Sequence, residues 1–203
     1  MPHQYKLTYF NVMGLGEPIR FLLSYGGHQF QDFRVDRLNE WPKMKPDTPF
    51  GQLPILEIDG KPYCQSVPIC RYLAKQMDLI GETDLNALQI DSIVEALYEL
   101  RKHVALFYRE SNPEIKTKRK EEVLTKTLPF YLNKLESCAD NGYFVNGKLS
   151  YADIFFAAIH DSLVNACGVE ITKEHPNLKK IRKNVLSVPK IKEWVDKRPK
   201  LEF

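Results

Sequence analysis

Residues 54–64 constrain the fold of this chain more than any other stretch. Ile55-Leu56-Glu57-Ile58 is an alternating, mostly apolar run, Asp59-Gly60 follows it, and a second short strand is expected at Pro62–Cys64. Both residues of the Asp-Gly pair tolerate positive φ, which a two-residue hairpin turn demands. Two antiparallel strands are therefore placed side by side by local chemistry alone. Pro54 directly precedes the first strand, a position where a proline is tolerated. A cis bond before it would expose the amide and carbonyl of Leu53 as an edge for a short extended peptide. After the hairpin, Gln65-Ser66 leads into an apolar-periodic segment, Ile69–Met77, with Ser66 expected as the helix cap. A helix start offers free N–H groups and a positive dipole end, a seat for a carboxylate.

The elements before the hairpin follow from periodicity. Tyr5, Leu7 and Tyr9 alternate with Lys6 and Thr8, giving a strand over Tyr5–Phe10. Asn11–Gly16 is a glycine-bearing turn. Pro18 opens a helix through Ile19, Phe21, Leu22, Leu23 and Tyr25, stopped by Gly26-Gly27. Phe30–Val35 is a second strand, and Trp41–Pro49, with three prolines, is expected to be irregular. The order β-α-β, loop, β-β-α matches a thioredoxin-like layout with a mixed sheet.

Past Leu79-Ile80-Gly81 the pattern becomes helical. Ile90, Ile93, Val94, Leu97, Leu100 and Val104 predict a long helix over about residues 84–110. Asn112 and Pro113 open another as cap and first residue, with a kink expected at Pro129. Asn141-Gly142 and Asn146-Gly147 are turns, and Ser150-x-x-Asp153 reads as a capping box for the apolar helix Ile154–Val164. His175-Pro176 and Val188-Pro189 open two shorter helices. The expectation is an α+β chain of two domains: residues 1–79 thioredoxin-like, residues 84–203 all-helical.

Charge and cysteine usage exclude several classes. A net charge of +3 is too small to argue for nucleic acid, and the lysine-dense segments 116–120 and 173–200 have helical spacing, as solvated faces do. The four cysteines show neither C-x-x-C nor zinc spacing, so neither a disulfide framework nor a metal is expected. No apolar run is long enough to span a bilayer and no signal region is read at the start. A cytosolic protein without membrane or nucleic-acid partners is expected.

A thioredoxin-like half ordinarily carries C-x-x-C after its first strand; here Tyr9-Phe10-Asn11-Val12 occupies that place, leaving dithiol exchange without a nucleophile. A strand tyrosine ordinarily packs in a core, yet the Tyr9 phenol near the bend at Pro54 can donate its O–H to a bound thiolate. Trp41 and Lys45 either pack and solvate or converge on a second carboxylate. Gln65 at a helix start has the same two readings. Cys64 beside the site is read either as a redox-sensitive thiol or, the ordinary outcome, as a small buried one. Glu99 and Arg101 flank the apolar stripe of the long helix, where surface charge is the ordinary outcome.

The set Y-K-L-T-Y-F-N, G-E-P-I-R-F-L-L, W-P-x-x-K, P-F-G-Q-L-P-I-L-E-I-D-G, Q-S, S-Y-A-D and K-R-P spans essentially the whole chain and resembles the glutathione S-transferases, in particular the sigma class that includes the haematopoietic prostaglandin D synthases. The resemblance implies a homodimer that uses glutathione as co-substrate. It makes Tyr9 the thiol-activating residue, and Leu53 before cis-Pro54 the backbone partner of the cysteinyl unit. Gln65 and Ser66 would hold the γ-glutamyl end, Trp41 and Lys45 the glycine carboxylate, and Gln52 stands in the same peptide site where the prostaglandin synthases have lysine. Phe10, Val12, Gly14, Leu15, Arg101 and the terminal Phe203 would shape the electrophile pocket. Two further departures matter. Leu15 stands where the prostaglandin synthases have arginine. Their acidic, cation-binding cluster is reduced here to Glu95, Tyr98 and Glu99, so no metal is expected, while Glu99 would reach the ligand of the partner subunit. The implied activity is conjugation of glutathione to small hydrophobic electrophiles, including products of lipid peroxidation. Glutathione-dependent prostaglandin isomerisation or peroxide reduction, and a non-catalytic ligand-binding or crystallin-like role, remain open at this stage.

Overall fold

The computed structural model describes residues 3–200. Its first half is a four-stranded sheet flanked by helices: β1 (Tyr5–Phe10), α1 (Glu17–Tyr25), β2 (Phe30–Val35), β3 (Ile55–Ile58), β4 (Lys61–Cys64) and α3 (Ser66–Lys75), with a one-turn α2 (Trp41–Met44) in the β2–β3 connection. The strand order is β2-β1-β3-β4; β1 and β2 are parallel, and the other two pairings are antiparallel. This is the thioredoxin-like arrangement expected from the pattern of elements. The second half is helical: α4 (Asp84–Tyr108), α5 (Pro113–Glu122), α6 (Leu128–Cys138), α7 (Tyr151–Cys167), α8 (Pro176–Leu186) and α9 (Pro189–Lys197). Among the described residues, no helix is long and apolar enough to cross a membrane.

Four local readings are corrected. The segment after Trp41 is not irregular: α2 runs directly into a 3-10 turn over Lys45–Asp47. Pro42 and Pro46 fall in the first turns of these pieces, where a missing N–H costs nothing. Ser66 does not cap α3. It is the first helical residue; Gln65, at φ 74°, is the cap and makes no side-chain hydrogen bond to the helix. The helix after Asn112 does not simply kink at Pro129; a π turn over Val123–Thr127 precedes the proline and separates α5 from α6. Finally, β4 begins at Lys61, one residue before the strand expected at Pro62–Cys64.

Other sequence signals appear as read. The side-chain oxygen of Asn112 accepts the N–H groups of Glu114 and Ile115 at 3.0 and 3.2 Å. Asp153 is completely buried and accepts the Ser150 N–H and O–H at 2.7 Å each and the Phe144 N–H at 2.8 Å. That carboxyl therefore starts α7 and also fastens the Tyr143–Lys148 loop to it. Burial raises its pKa to about 6, against the pull of those hydrogen bonds.

The core is continuous across the two halves. Helix α7, apolar nearly all round, is its axis, packed against α1, α4 and α8. Ion pairs reinforce this joint. The fully buried Arg20 of α1 donates to Glu17 at 3.0 Å and to Asp32 of β2 at 2.9 Å. Glu17 also accepts the Trp194 indole N–H at 2.9 Å and Arg198 at 2.8 Å, both from the C-terminal end of the chain. Arg198 reaches on to Asp161 of α7 at 3.0 Å, and Asp161 accepts Arg182 at 2.8 Å. On the opposite side, Asp91 of α4 accepts Arg71 of α3 at 2.8 Å and the Tyr151 hydroxyl at 2.5 Å.

Candidate active site

The strand registers place the singled-out residues at one end of the sheet. Thr8 of β1 pairs with Ile55 of β3, so Tyr9 lies level with Pro54. Ile55 pairs in turn with Cys64, so Pro54 lies level with Gln65. Val35, the last residue of β2, is aligned with Phe10, and the chain beyond it carries Trp41 and Lys45 to the same end. Tyr9, Leu53-Pro54, Gln65-Ser66 and the Trp41–Lys45 segment are thus drawn together from four separate parts of the sequence. The Leu53–Pro54 bond is cis.

Beside this end of the sheet is a cleft of about 640 Å³. One wall comes from the sheet half: Tyr9, Phe10, Leu15, Trp41, Gly51, Gln52 and Leu53. The other comes mainly from one face of α4: Tyr98, Arg101, Lys102, Ala105, Leu106 and Arg109. Glu110, Ser111 and Arg119 close the far end.

Tyr9 is only 3% exposed, its ring buried by the turn that follows β1, yet the residue belongs to the cleft wall. Its phenolic oxygen accepts the Leu15 backbone N–H at 3.1 Å. Among the described residues, no acceptor takes its proton. Gly14, at φ 41°, and Gly16 allow this packing. A Cβ on Gly14 would stand 2.6 Å from the Tyr9 hydroxyl, and one on Gly16 would stand 2.6 Å from the ring. The Arg20 guanidinium lies 5.9 Å from the ring centroid. Phe10 packs between Tyr9, at 5.7 Å, and the Trp41 indole, at 5.6 Å and nearly perpendicular.

The remaining sequence-expected residues are disposed as follows. Lys45 is exposed and lays its stem over Gly51 at the rim. Gln65 is exposed, while Ser66 is buried at the start of α3. The first-turn amides of a helix have no intrahelical partner, and here Pro68 contributes none, so the Ser66 end of α3 is an anion-favouring terminus. Val12 lies in a neighbouring depression with Phe10 and Arg37 rather than in the cleft. Glu99 points away from it, toward Tyr131, whose phenol is raised to about 12 by burial and by that carboxylate. Phe203 lies outside the described residues. Among the described residues, no group of three or more His, Cys, Asp or Glu side chains converges in a way that could hold a metal ion.

Arg101 departs from the surface charge that its place beside the apolar stripe suggested, and lies among the cleft residues with which the resemblance grouped it. It is not a surface charge: it is 9% exposed and lines the cleft with Tyr9 and Tyr98. Burial lowers its pKa from the ordinary guanidinium value, the Tyr9 and Tyr98 oxygens oppose that shift, and the Arg109 charge adds to it. Tyr98, Lys102, Ala105 and Arg109 were not singled out as pocket residues. Their spacing of three and four along α4 is the signal that finds them: they form a second stripe beside the core stripe.

Known proteins match both halves of the chain. Residues 5–75 match the glutathione S-transferase N-terminal domain, and residues 98–198 match the glutathione S-transferase C-terminal domain. A glutathione S-transferase of Anopheles gambiae is 42% identical over 197 residues, covering 96% of this chain and 97% of the relative. The haematopoietic prostaglandin D synthase of Gallus gallus is 36% identical over 202 residues, 98% of each chain. Among solved structures, prostaglandin synthase D of Nilaparvata lugens superposes with a TM-score of 0.93 at 42% identity, over 98% of this chain and 100% of its own.

Proposed function

This chain belongs to the glutathione S-transferase family, and on that premise we propose that it joins the thiol of glutathione to small hydrophobic electrophiles. The observation that carries the reading is the Tyr9 hydroxyl, set in the cleft wall with its proton unclaimed among the described residues. A free thiol with a pKa of about 8.5 is only a few per cent ionised near neutral pH. Donation of the Tyr9 O–H to the sulfur favours the thiolate, the nucleophilic form. The Leu53 backbone pairs with the extended peptide. The α3 terminus with Gln65 and Ser66 receives the γ-glutamyl carboxylate; Trp41 and Lys45 receive the glycine carboxylate, with Gln52 alongside. These grips aim the sulfur at the α4 wall, where Ala105 and Leu106, facing Phe10 and Leu15 of the sheet-side wall, give the electrophile an apolar surface. Holding both reactants in one cleft supplies much of the acceleration.

In this reading the protein is a cytosolic homodimer divided between residues 79 and 84. Phe50, Leu85 and Leu88, all strongly exposed, are surface that a second copy would cover, and Glu99 is assigned to the ligand of the partner subunit. The prostaglandin synthases among its relatives favour one second reading, glutathione-dependent isomerisation of an endoperoxide. The direct test is conjugation of glutathione to 1-chloro-2,4-dinitrobenzene and to an enone, with product analysis after incubation with the endoperoxide. Glutathione adducts support the transferase. An isomerised endoperoxide with no adduct from either electrophile supports the second reading, and no product in any assay overturns both.

A further inference from the structure

The cleft carries a charge imbalance that a purely apolar second substrate would leave unanswered. Arg101, Lys102, Arg109 and Arg119 line it against a single carboxylate, Glu110, which is already paired with Arg119 at 2.7 Å. Among the described residues, no ion pair or hydrogen bond engages the Arg101 guanidinium, although it is nine-tenths buried and faces the cleft. Guanidinium remains protonated in proteins. A buried cation without an anionic partner is unfavourable, and a ligand that brings the missing anion relieves that cost. Its planar fork of N–H donors also matches a carboxylate in two-bond geometry.

We propose that the second substrate is an amphipathic acid, an electrophile bearing a carboxylate that docks on Arg101 with Arg109 in support while its hydrocarbon part lies on Leu15, Ala105 and Leu106. This rests on the transferase reading and narrows it. The carboxylates of glutathione do not serve as the missing anion, because their assigned seats are the α3 terminus and the Trp41–Lys45 segment. Arg101 stands instead on the α4 wall, near the Tyr9 oxygen and therefore near the sulfur. For an enone of this kind, sulfur forms its bond to the β-carbon and the C=C π pair moves to the carbonyl oxygen as an enolate. The α-carbon then takes a proton from water. No oxidant or reductant is needed, and the carboxylate is a handle that stays intact.

The test compares ethacrynic acid, an enone with a carboxylate, with its methyl ester. With the wild-type protein and saturating glutathione, the acid should be preferred by about tenfold in kcat/KM, expressed chiefly in KM, as one charge-assisted contact allows. In Arg101→Gln that ratio should fall to about one, and in Arg109→Gln to an intermediate value. Equal use of acid and ester by the wild type overturns the assignment without any variant. An undiminished ratio in Arg101→Gln overturns it as well, and a uniform loss of kcat for both compounds would assign the guanidinium to the thiolate instead. Calorimetry with the saturated, unreactive acid separates this idea from the transferase reading. Weaker binding to Arg101→Gln in the absence of any conjugation would defeat that reading alone, and equal binding would defeat the carboxylate site.

Discussion

The Leu15 backbone N–H stands 3.1 Å from the Tyr9 phenolic oxygen and donates to it. The bond fixes the hydroxyl at the cleft wall through one of its acceptor sites and leaves its proton free to donate. In Tyr9→Phe the ring and its packing survive while the donor is lost. Turnover should fall by about 10- to 100-fold, the worth of a hydrogen bond to a charged acceptor, with the KM for glutathione changed less than about threefold. Steady-state kinetics with both substrates varied decides it, and an unchanged kcat rejects the role given to Tyr9.

Gly14 presses on the same hydroxyl. Its φ is 41° and a Cβ there would stand 2.6 Å from the Tyr9 oxygen, so alanine is both strained and in collision. Gly14→Ala should cost activity on the scale of Tyr9→Phe by pushing the phenol aside. Because both substitutions act through one hydroxyl, the double variant should be no less active than Gly14→Ala alone. A multiplicative loss in the double variant would show that Gly14 acts elsewhere.

Asp153 is a prediction about stability. Removing its carboxyl in Asp153→Ala strands the buried Phe144 and Ser150 N–H groups together and unfastens the loop before α7. The loss should be about 3 kcal/mol or more in urea unfolding, since each unsatisfied buried donor costs about 1–3 kcal/mol. A loss below about 1 kcal/mol would mean that water replaces the carboxyl.

Glu17 holds Arg20, Trp194 and Arg198 at once. Glu17→Gln leaves two arginines short of their counter-charge and should cost about 3–5 kcal/mol, as breaking a buried ion pair does. The environment of Trp194 should change with it. In a Trp41→Phe background Trp194 is the sole tryptophan, and its emission should shift to longer wavelength; an unmoved spectrum would place the indole contact outside the network.

Asp161 gives the pH dependence. Burial would raise its carboxyl, but hydrogen bonds from His160 and Arg182 prevail and hold it below the usual value of 3.8. A carboxyl depressed on folding contributes stability above its unfolded pKa and loses it as pH falls through the folded one. Asp161→Asn should therefore be less stable than the wild type by about 1–3 kcal/mol at about pH 7. The gap should start to narrow below about pH 4 and be smaller, though still present, at about pH 3. Urea melts at both pH values measure this, and a gap independent of pH rejects it.

The parts of the fold written in local chemistry were legible from the sequence. The alternation of β1, the Asp59-Gly60 turn, the Asn112-Pro113 start and the Ser150–Asp153 box each need only neighbouring residues, and each lies where the sequence puts it. The singled-out side chains could be gathered at one sheet end because strand register converts local pairing into position. What escaped was set by distance along the chain. Glu17 meets Trp194 and Arg198 across separations of 177 and 181 residues, and no periodicity announces a partner so remote. Helical spacing alone makes Arg101 a surface charge, one residue off the apolar stripe of α4; the motif resemblance, not the periodicity, put it with the pocket residues.

The division of the cleft between two walls has an evolutionary consequence. The sheet-side wall is assembled from turns and strand ends whose positions are set by backbone pairing, whereas the facing side is mainly one stretch of α4. Substitutions along that stretch leave backbone geometry alone, so a duplicated copy could drift toward new toxins residue by residue while keeping its hold on the shared thiol.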